Sequence, residues 1–378
     1  MNKERVSILP AEQELAGQWE RVVRRRAFLQ GVGLTGAALS AGAIRADEKK
    51  KLPKGDVAIL QFLAAAELIE SDLWQQYNEL GGANGGNPSY MAALQNMDGD
   101  MSQYISDNTD DEMSHAAFLN NYLKTHGEQP VNLDMFRTLP SSKATGAQQI
   151  GRLTNLMKLN VDTSYYTRYR STQNPDLGAT FPQAVNISNE PAIPLNDTDT
   201  PPNTPQPIPP TTVPARRMQA IANTAAFHFA MIEQGGSSLY PTLALQVTDV
   251  EVLRILLSIG GVEIDHFGLW HDKLGNAVSQ PLAGVTDPET GVTFPDLNAA
   301  HSEATQTNLI LPEPCQFLTT DPSVPPCSVI RPTSTQLSGA VAAITGLTKD
   351  LLFLNQSNAF FQTVMALAMA ADVAKRQV

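Results

Sequence analysis

Four stretches of the chain set apolar residues at three- and four-residue steps over helix lengths, and each breaks its apolar face with an acidic residue. Such a period describes a helix buried along one side. The first covers 56–80, with Ile59, Phe62, Leu63, Ala66, Ile69, Leu73 and Trp74 in phase and Glu67 among Ala64, Ala65, Leu68 and Ile69. The second covers 101–126, with Ile105, Ala116, Leu119 and Leu123 inward and the phrase Glu112-Met113-Ser114-His115. The third begins near Ala215 and runs through Ile221, Ala225, Phe229, Ile232 and Glu233 to about Tyr240, where Pro241 predicts a break. The fourth covers 248–274 and holds Glu263-Ile264-Asp265-His266. A carboxylate on a buried face is costly unless it is paired or binds a cation. These helices can therefore share a core only if their acids meet a counter-charge.

The order along the chain is Glu, Glu-x-x-His, Glu, Glu-x-x-His. Residues i and i+3 lie on one helix face, so each Glu-x-x-His can aim an oxygen and a nitrogen at one point. With 6 His in 378 residues, chance gives roughly 0.3 such pairs. A four-helix bundle that turns the set inward offers four carboxylates and two imidazoles, the donors of di-iron and di-manganese carboxylate proteins. Four carboxylates balance two divalent cations. Oxygen donors with one nitrogen per metal suit Fe or Mn better than Cu. The expected cofactors are thus two Fe or Mn ions.

The remaining chain frames this core. Hydrophobic residues at 42% allow a substantial interior, and a net charge of −12 disfavours nucleic acid as a partner. Arg24-Arg25-Arg26-Ala27-Phe28-Leu29-Gln30 precedes the uncharged stretch from Gly31 to Ile44, and Arg45-Ala46 closes it before a polar run. That is the layout of a signal peptide, and the paired arginines resemble a twin-arginine export signal. Residues 1–46 are therefore expected to direct export by the twin-arginine translocase to the periplasm or beyond and to be removed. Residues 47–274 form the bundle, with an insert at 127–214. Within the insert a helix is predicted over 147–169. Nine prolines between Pro191 and Pro214 predict an extended surface connection. Residues 275–378 read as a loop-rich segment followed by helices from about Thr335 to Arg376, interrupted at Lys349 and Asp350 and packing on the bundle. No run of alternating strands stands out, so the fold class is all-α. Two cysteines are too few for a cysteine-rich metal site, and in an oxidising compartment Cys315 and Cys327 are expected to form a disulfide.

Three details give the chain a family likeness. Glu67 and Glu70 precede Trp74 by seven and four residues, and Glu233 precedes Tyr240 by seven in Glu-Gln-Gly-Gly-Ser-Ser-Leu-Tyr. Gly261-Val262-Glu263-Ile264-Asp265-His266 is the third. Over 56–126 and 216–274 the chain resembles the ferritin-like superfamily, and within it the exported bacterial proteins related to plant desiccation-related proteins. The 127–214 insert is longer than the crossover usual there. The resemblance implies that Glu67 and Glu233 are terminal metal ligands, that Glu112 and Glu263 bridge, and that His115 and His266 each bind one metal. Glu70 competes with Glu67 on the same face. Asp111 and Asp265 are candidates to orient the histidines. Trp74 and Tyr240 read as core aromatics rather than redox residues. His126, His228, His271 and His301 lack a partner at ligand spacing and read as structural or surface residues.

These expectations support an exported di-metal oxidoreductase acting on O2 or peroxide, ferroxidase-like behaviour included. The alternative is a structural or stress-related ferritin-like protein without catalysis. Metal storage in a shell fits poorly with the insert and the C-terminal extension. The sequence names no organic substrate and leaves the oligomeric state open.

Overall fold

The computed structural model describes residues 51–168, 181–199, 207–302, 305, 313–315, 321–325, 327–329 and 339–377, with backbone alone at 168, 313–315 and 327–329. The leader expected over 1–46 and the start of the last helical region at 335–338 lie outside the described residues.

Helix α1 (Lys54–Gly81) buries nearly every in-phase apolar position of its sequence pattern. It stops where Gly82 leaves the helical region and donates its N–H back to Asn78. A short helix, α2 (Pro88–Gln95), follows. Its start is written locally: the Asn87 side chain accepts from the Tyr90 N–H, and Pro88 opens the first turn. Helix α3 (Met101–Thr125) ends in a Schellman motif: Gly127 (φ +76°) donates to Lys124, and Glu128 to Leu123. The left-handed φ at that point is why a glycine stands there.

Helix α4 is a single turn at Tyr165–Arg168, helix α5 spans Val213–Ala244, and α6 spans Val250–Leu274. Thr212 caps α5 and Asp249 caps α6. Asp56 of α1 accepts from the Thr248 and Asp249 backbone N–H groups, tying the start of α1 to the start of α6. Helices α1 and α3 pack as one pair and α5 and α6 as another. Their shared centre holds Trp74, stacked on Trp270 at 5.5 Å and packed on Phe229 at 4.9 Å. None of the helices among the described residues is long and apolar enough to cross a membrane.

The structure corrects two expectations and adds detail to a third. The helix predicted over 147–169 does not form: residues 147–168 hold loops, strand β1 (Leu159–Val161) and α4, and 169 lies outside the described residues. The backbone there is claimed by tertiary partners. Asp72 of α1 accepts from the Leu153 and Thr154 N–H groups and from the Thr154 hydroxyl, and Leu139 pairs with Arg152 as a β-bridge. A Cβ on Gly151 would fall 2.0 Å from the Arg137 carbonyl, so the chain must pass Arg137 without a side chain. Second, Pro241 does not end α5, which continues to Ala244. Proline removes one N–H from the ladder, but Leu243 and Ala244 beyond it are buried in the core, and that packing carries the helix on. Third, the all-α class stands, but two small antiparallel pairs accompany it. Strand β1 pairs with β2 (Ile187–Glu190), and β3 (Glu313–Cys315) pairs with β4 (Cys327–Val329). In the second pair the backbone sets Cys315 opposite Cys327.

Helices α7 (Ala340–Lys349) and α8 (Asn358–Asp372) are separated at the interruption that Lys349 and Asp350 mark. Helix α8 packs on α1. Asp372 of α8 accepts from the first N–H groups of α7, at 2.7 Å from Ala340 and 2.9 Å from Val341.

Candidate metal centre

All six donors of the Glu, Glu-x-x-His, Glu, Glu-x-x-His pattern converge. Helix α1 supplies Glu67, α3 supplies Glu112 and His115, α5 supplies Glu233, and α6 supplies Glu263 and His266. They fall into two groups, Glu67–Glu112–His115–Glu263 and Glu112–Glu233–Glu263–His266. Within each group one donor atom per residue lies within 4.8 Å of the others, and every residue is buried. Glu112 and Glu263 belong to both groups.

Nδ1 of His115 lies 3.2 Å from Glu112, 3.5 Å from Glu67 and 3.6 Å from Glu263. Nδ1 of His266 lies 3.2 Å from both Glu112 and Glu233. On its far side, Nε2 of His266 is hydrogen-bonded to Asp111 at 3.1 Å, which fixes the plane of the ring. Asp265 is exposed. It borders, with Asp107 and Asp111, a pocket of about 620 Å³ that reaches His266 between α3 and α6. Glu70 belongs to neither donor group. It lines a different cavity, on the α1–α5 side.

Three supporting residues were not singled out by sequence spacing. Asn108 donates to Glu112 at 2.9 Å and to Glu233 at 3.0 Å, joining a carboxylate of α3 to one of α5. The Trp270 indole N–H donates to Asn108 Oδ1 at 2.7 Å and sets the orientation of that amide. The signal for Asn108 was its place four residues before Glu112 and seven before His115, on the same face. Gly236 is the third. A Cβ there would fall 2.2 Å from Glu263 Oε2, so the carboxylate occupies the space where a side chain would begin. Tyr240 is a core aromatic, as expected, but its hydroxyl also donates to Glu67.

The electrostatics show a cluster short of positive charge. Burial, then the charges of Glu233 and Glu67, push the Glu112 carboxyl up to about 7. Burial, then Glu112 and Glu233, raise Glu263 well above the usual carboxylate range. Burial also opposes charge on His115, but the adjoining carboxylates of Glu112 and Glu67 outweigh it and lift the imidazole to about 10. The same contest raises His266, with the Glu233 charge and the Asp111 bond prevailing over burial. Glu67 Oε2 and both oxygens of Glu263 are buried without a hydrogen-bond partner among the described residues. Orphaned carboxylate oxygens inside a core are the condition that a bound cation relieves. The donor set therefore fits divalent metal.

The other histidines lie elsewhere. His228 is buried, 2.7 Å from the Tyr77 hydroxyl, and His271 is buried against the face of Tyr166. Nδ1 of His126 bonds the Tyr122 carbonyl at the end of α3, and His301 is exposed.

Bundle and site together define a class: helical-bundle proteins whose buried faces carry a carboxylate on each of four helices and an imidazole on two of them. The family profile of the ferritin-like domain matches residues 55–276, and the chain belongs to that family. No curated protein and no solved structure matches it.

Proposed function

We propose that this ferritin-like protein binds two metal ions, Fe or Mn, and reacts there with O2 or peroxide. One observation carries the reading: two donor groups, each with its own imidazole, share Glu112 and Glu263. Glu67 with His115 would hold one ion, Glu233 with His266 the other, and the shared carboxylates would serve both. Two such ions bound together would supply the electrons or the oxidising capacity for O2 or peroxide chemistry. The chain's own residues do the rest. Asn108 holds Glu112 and Glu233 in register, Tyr240 holds Glu67, and Asp111 holds His266. Trp74, Trp270 and Phe229 pack together in the bundle centre, and Trp270 sets the Asn108 amide.

The reading extends to location: Arg24–Arg26 with the apolar stretch to Ile44 serve as an export leader, and the product works outside the cytoplasm. Changing Arg25 and Arg26 to Lys should retain the chain in the cytoplasm, and unaltered export would remove this part.

The test of the centre is anaerobic titration with Fe(II) or Mn(II), read by metal analysis. Two ions per chain are expected for the wild type. Glu112→Ala and Glu263→Ala should each lower uptake more than Glu70→Ala does. A chain that takes up at most one ion, indifferent to Glu112→Ala, would leave a structural ferritin-like protein as the account.

A further inference from the structure

A cavity of about 590 Å³ lies on the α1–α5 side of the donor cluster, outside both donor groups. Its walls include Phe62 and Leu73 of α1, Ile232 and Leu239 of α5, and Ile344 and Leu347 of α7. The only charged side chain that α1 or α5 contributes to its wall is Glu70. The β1–β2 side adds Asn160, Asp162, Gln183 and Ser188, and the end of α7 adds Lys349 with the following Asp350. Phe62 and Leu73 lie eleven residues apart on α1, so the cavity extends about 16 Å along the helix at 1.5 Å per residue. A volume in the range of small-ligand pockets, drawn out over that length, is a narrow apolar slot.

Two glycines in the middle of α5 bear on its use. Glycine inside a helix costs about 1 kcal/mol against alanine, so each position calls for a reason. Gly236 has one, since Glu263 fills its side-chain space. Gly235 has no such neighbour: a Cβ there meets nothing within 4 Å, and the residue lines the cavity. What its missing side chain leaves is open cavity. Gly236, whose side-chain space Glu263 takes, lines the same wall, so one residue borders both the slot and the donor cluster.

We propose that this slot binds a linear aliphatic molecule, an alkyl or acyl chain, with its polar end among the amides and hydroxyl at the β1–β2 mouth and its chain running past Gly235 towards Glu70. The length suits one extended chain, and most of the wall that α1, α5 and α7 present to it is apolar. This names the class of organic molecule held beside the proposed metal centre. Any chemistry on it rests on that centre, but the binding does not.

The experiment uses the full chain, metal-loaded and metal-free, titrated with the fluorescent polyene fatty acid cis-parinaric acid, with palmitic acid, decanol and cholesterol as competitors. Saturable binding of one probe per chain is expected, displaced by palmitic acid and decanol and not by cholesterol. Gly235→Leu and Ile344→Trp grow side chains into the slot from opposite walls. Each should weaken binding at least tenfold at unchanged metal content, which serves as the check on folding. No uptake by the wild type would overturn the proposal, as would binding that both variants leave intact or that cholesterol displaces best. Probe binding by a chain that takes up no metal would remove the di-metal reading and keep this one; metal uptake without probe binding would do the reverse.

Discussion

At the scale of single residues, the site shows which side chains sequence spacing can reveal. Glu67, Glu112, His115, Glu233, Glu263 and His266 were legible because acids and imidazoles are conspicuous on an apolar face, and helix period fixes where that face lies. Gly236 was not, because its role is the absence of atoms next to a residue on another helix. Gly236→Ala should raise helix propensity by up to about 1 kcal/mol and yet displace Glu263. The expected result is a metal-free protein of equal or greater stability whose metal affinity has dropped, measured by urea unfolding and metal titration. His228 gives a second prediction. Burial holds its imidazole down, from 6.5 to about 3. Between those values the unfolded chain takes up a proton that the folded chain refuses, so the contribution is intact above pH 6.5 and falls as the pH drops towards 3. Over that window the stability of wild type should decline by about 1.4 kcal/mol per pH unit more steeply than that of His228→Gln. Equal slopes in denaturant titrations would show that His228 does not titrate this way.

At the scale of elements, the insert is decided by hydrogen bonds that its own sequence does not announce. Residues 147–169 carry a helical apolar pattern, but Asp72, buried on α1, collects two backbone N–H groups, the Thr154 hydroxyl and the Arg137 guanidinium at 2.6 Å. One carboxylate thus fixes the path of a whole segment over the bundle. Asp72→Ala should cost about 3–5 kcal/mol, the range for breaking a buried ionic network by removing one partner. Protease cleavage between 137 and 155 should rise with it. If stability falls by no more than a surface substitution would cost, Asp72 does not hold the insert. Pro241 makes the same point in reverse, since a local rule predicts a break that the packing of the last turn of α5 overrides.

At the scale of the whole molecule, bonds cross between bundle, insert and C-terminal helices. Gln356, just before α8, donates to the Phe136 and Leu153 carbonyls of the insert, and Asn155 bonds the Leu351 carbonyl. Metal-free protein should therefore unfold in one transition, with tryptophan fluorescence from the bundle and far-ultraviolet circular dichroism giving coincident midpoints. Two separated midpoints would show that 275–378 melts on its own. The backbone pairing of β3 and β4 sets up the expected Cys315–Cys327 bridge. Intact-mass measurement of the unreduced chain after alkylation should find neither thiol modified.

What the sequence determined by itself was the four-helix plan, the face that each long helix turns inward, and the six donors on those faces. These follow from a period of 3.6 residues and from the cost of burying charge, both local properties of a string. The tertiary structure alone decided that Asn108 and Trp270 brace the donor cluster, and that Gly236 yields its space to Glu263. It also decided that the insert and α7 wall a slot beside the site. Each of these depends on distances between residues far apart in the chain, and such distances exist only once the helices have packed.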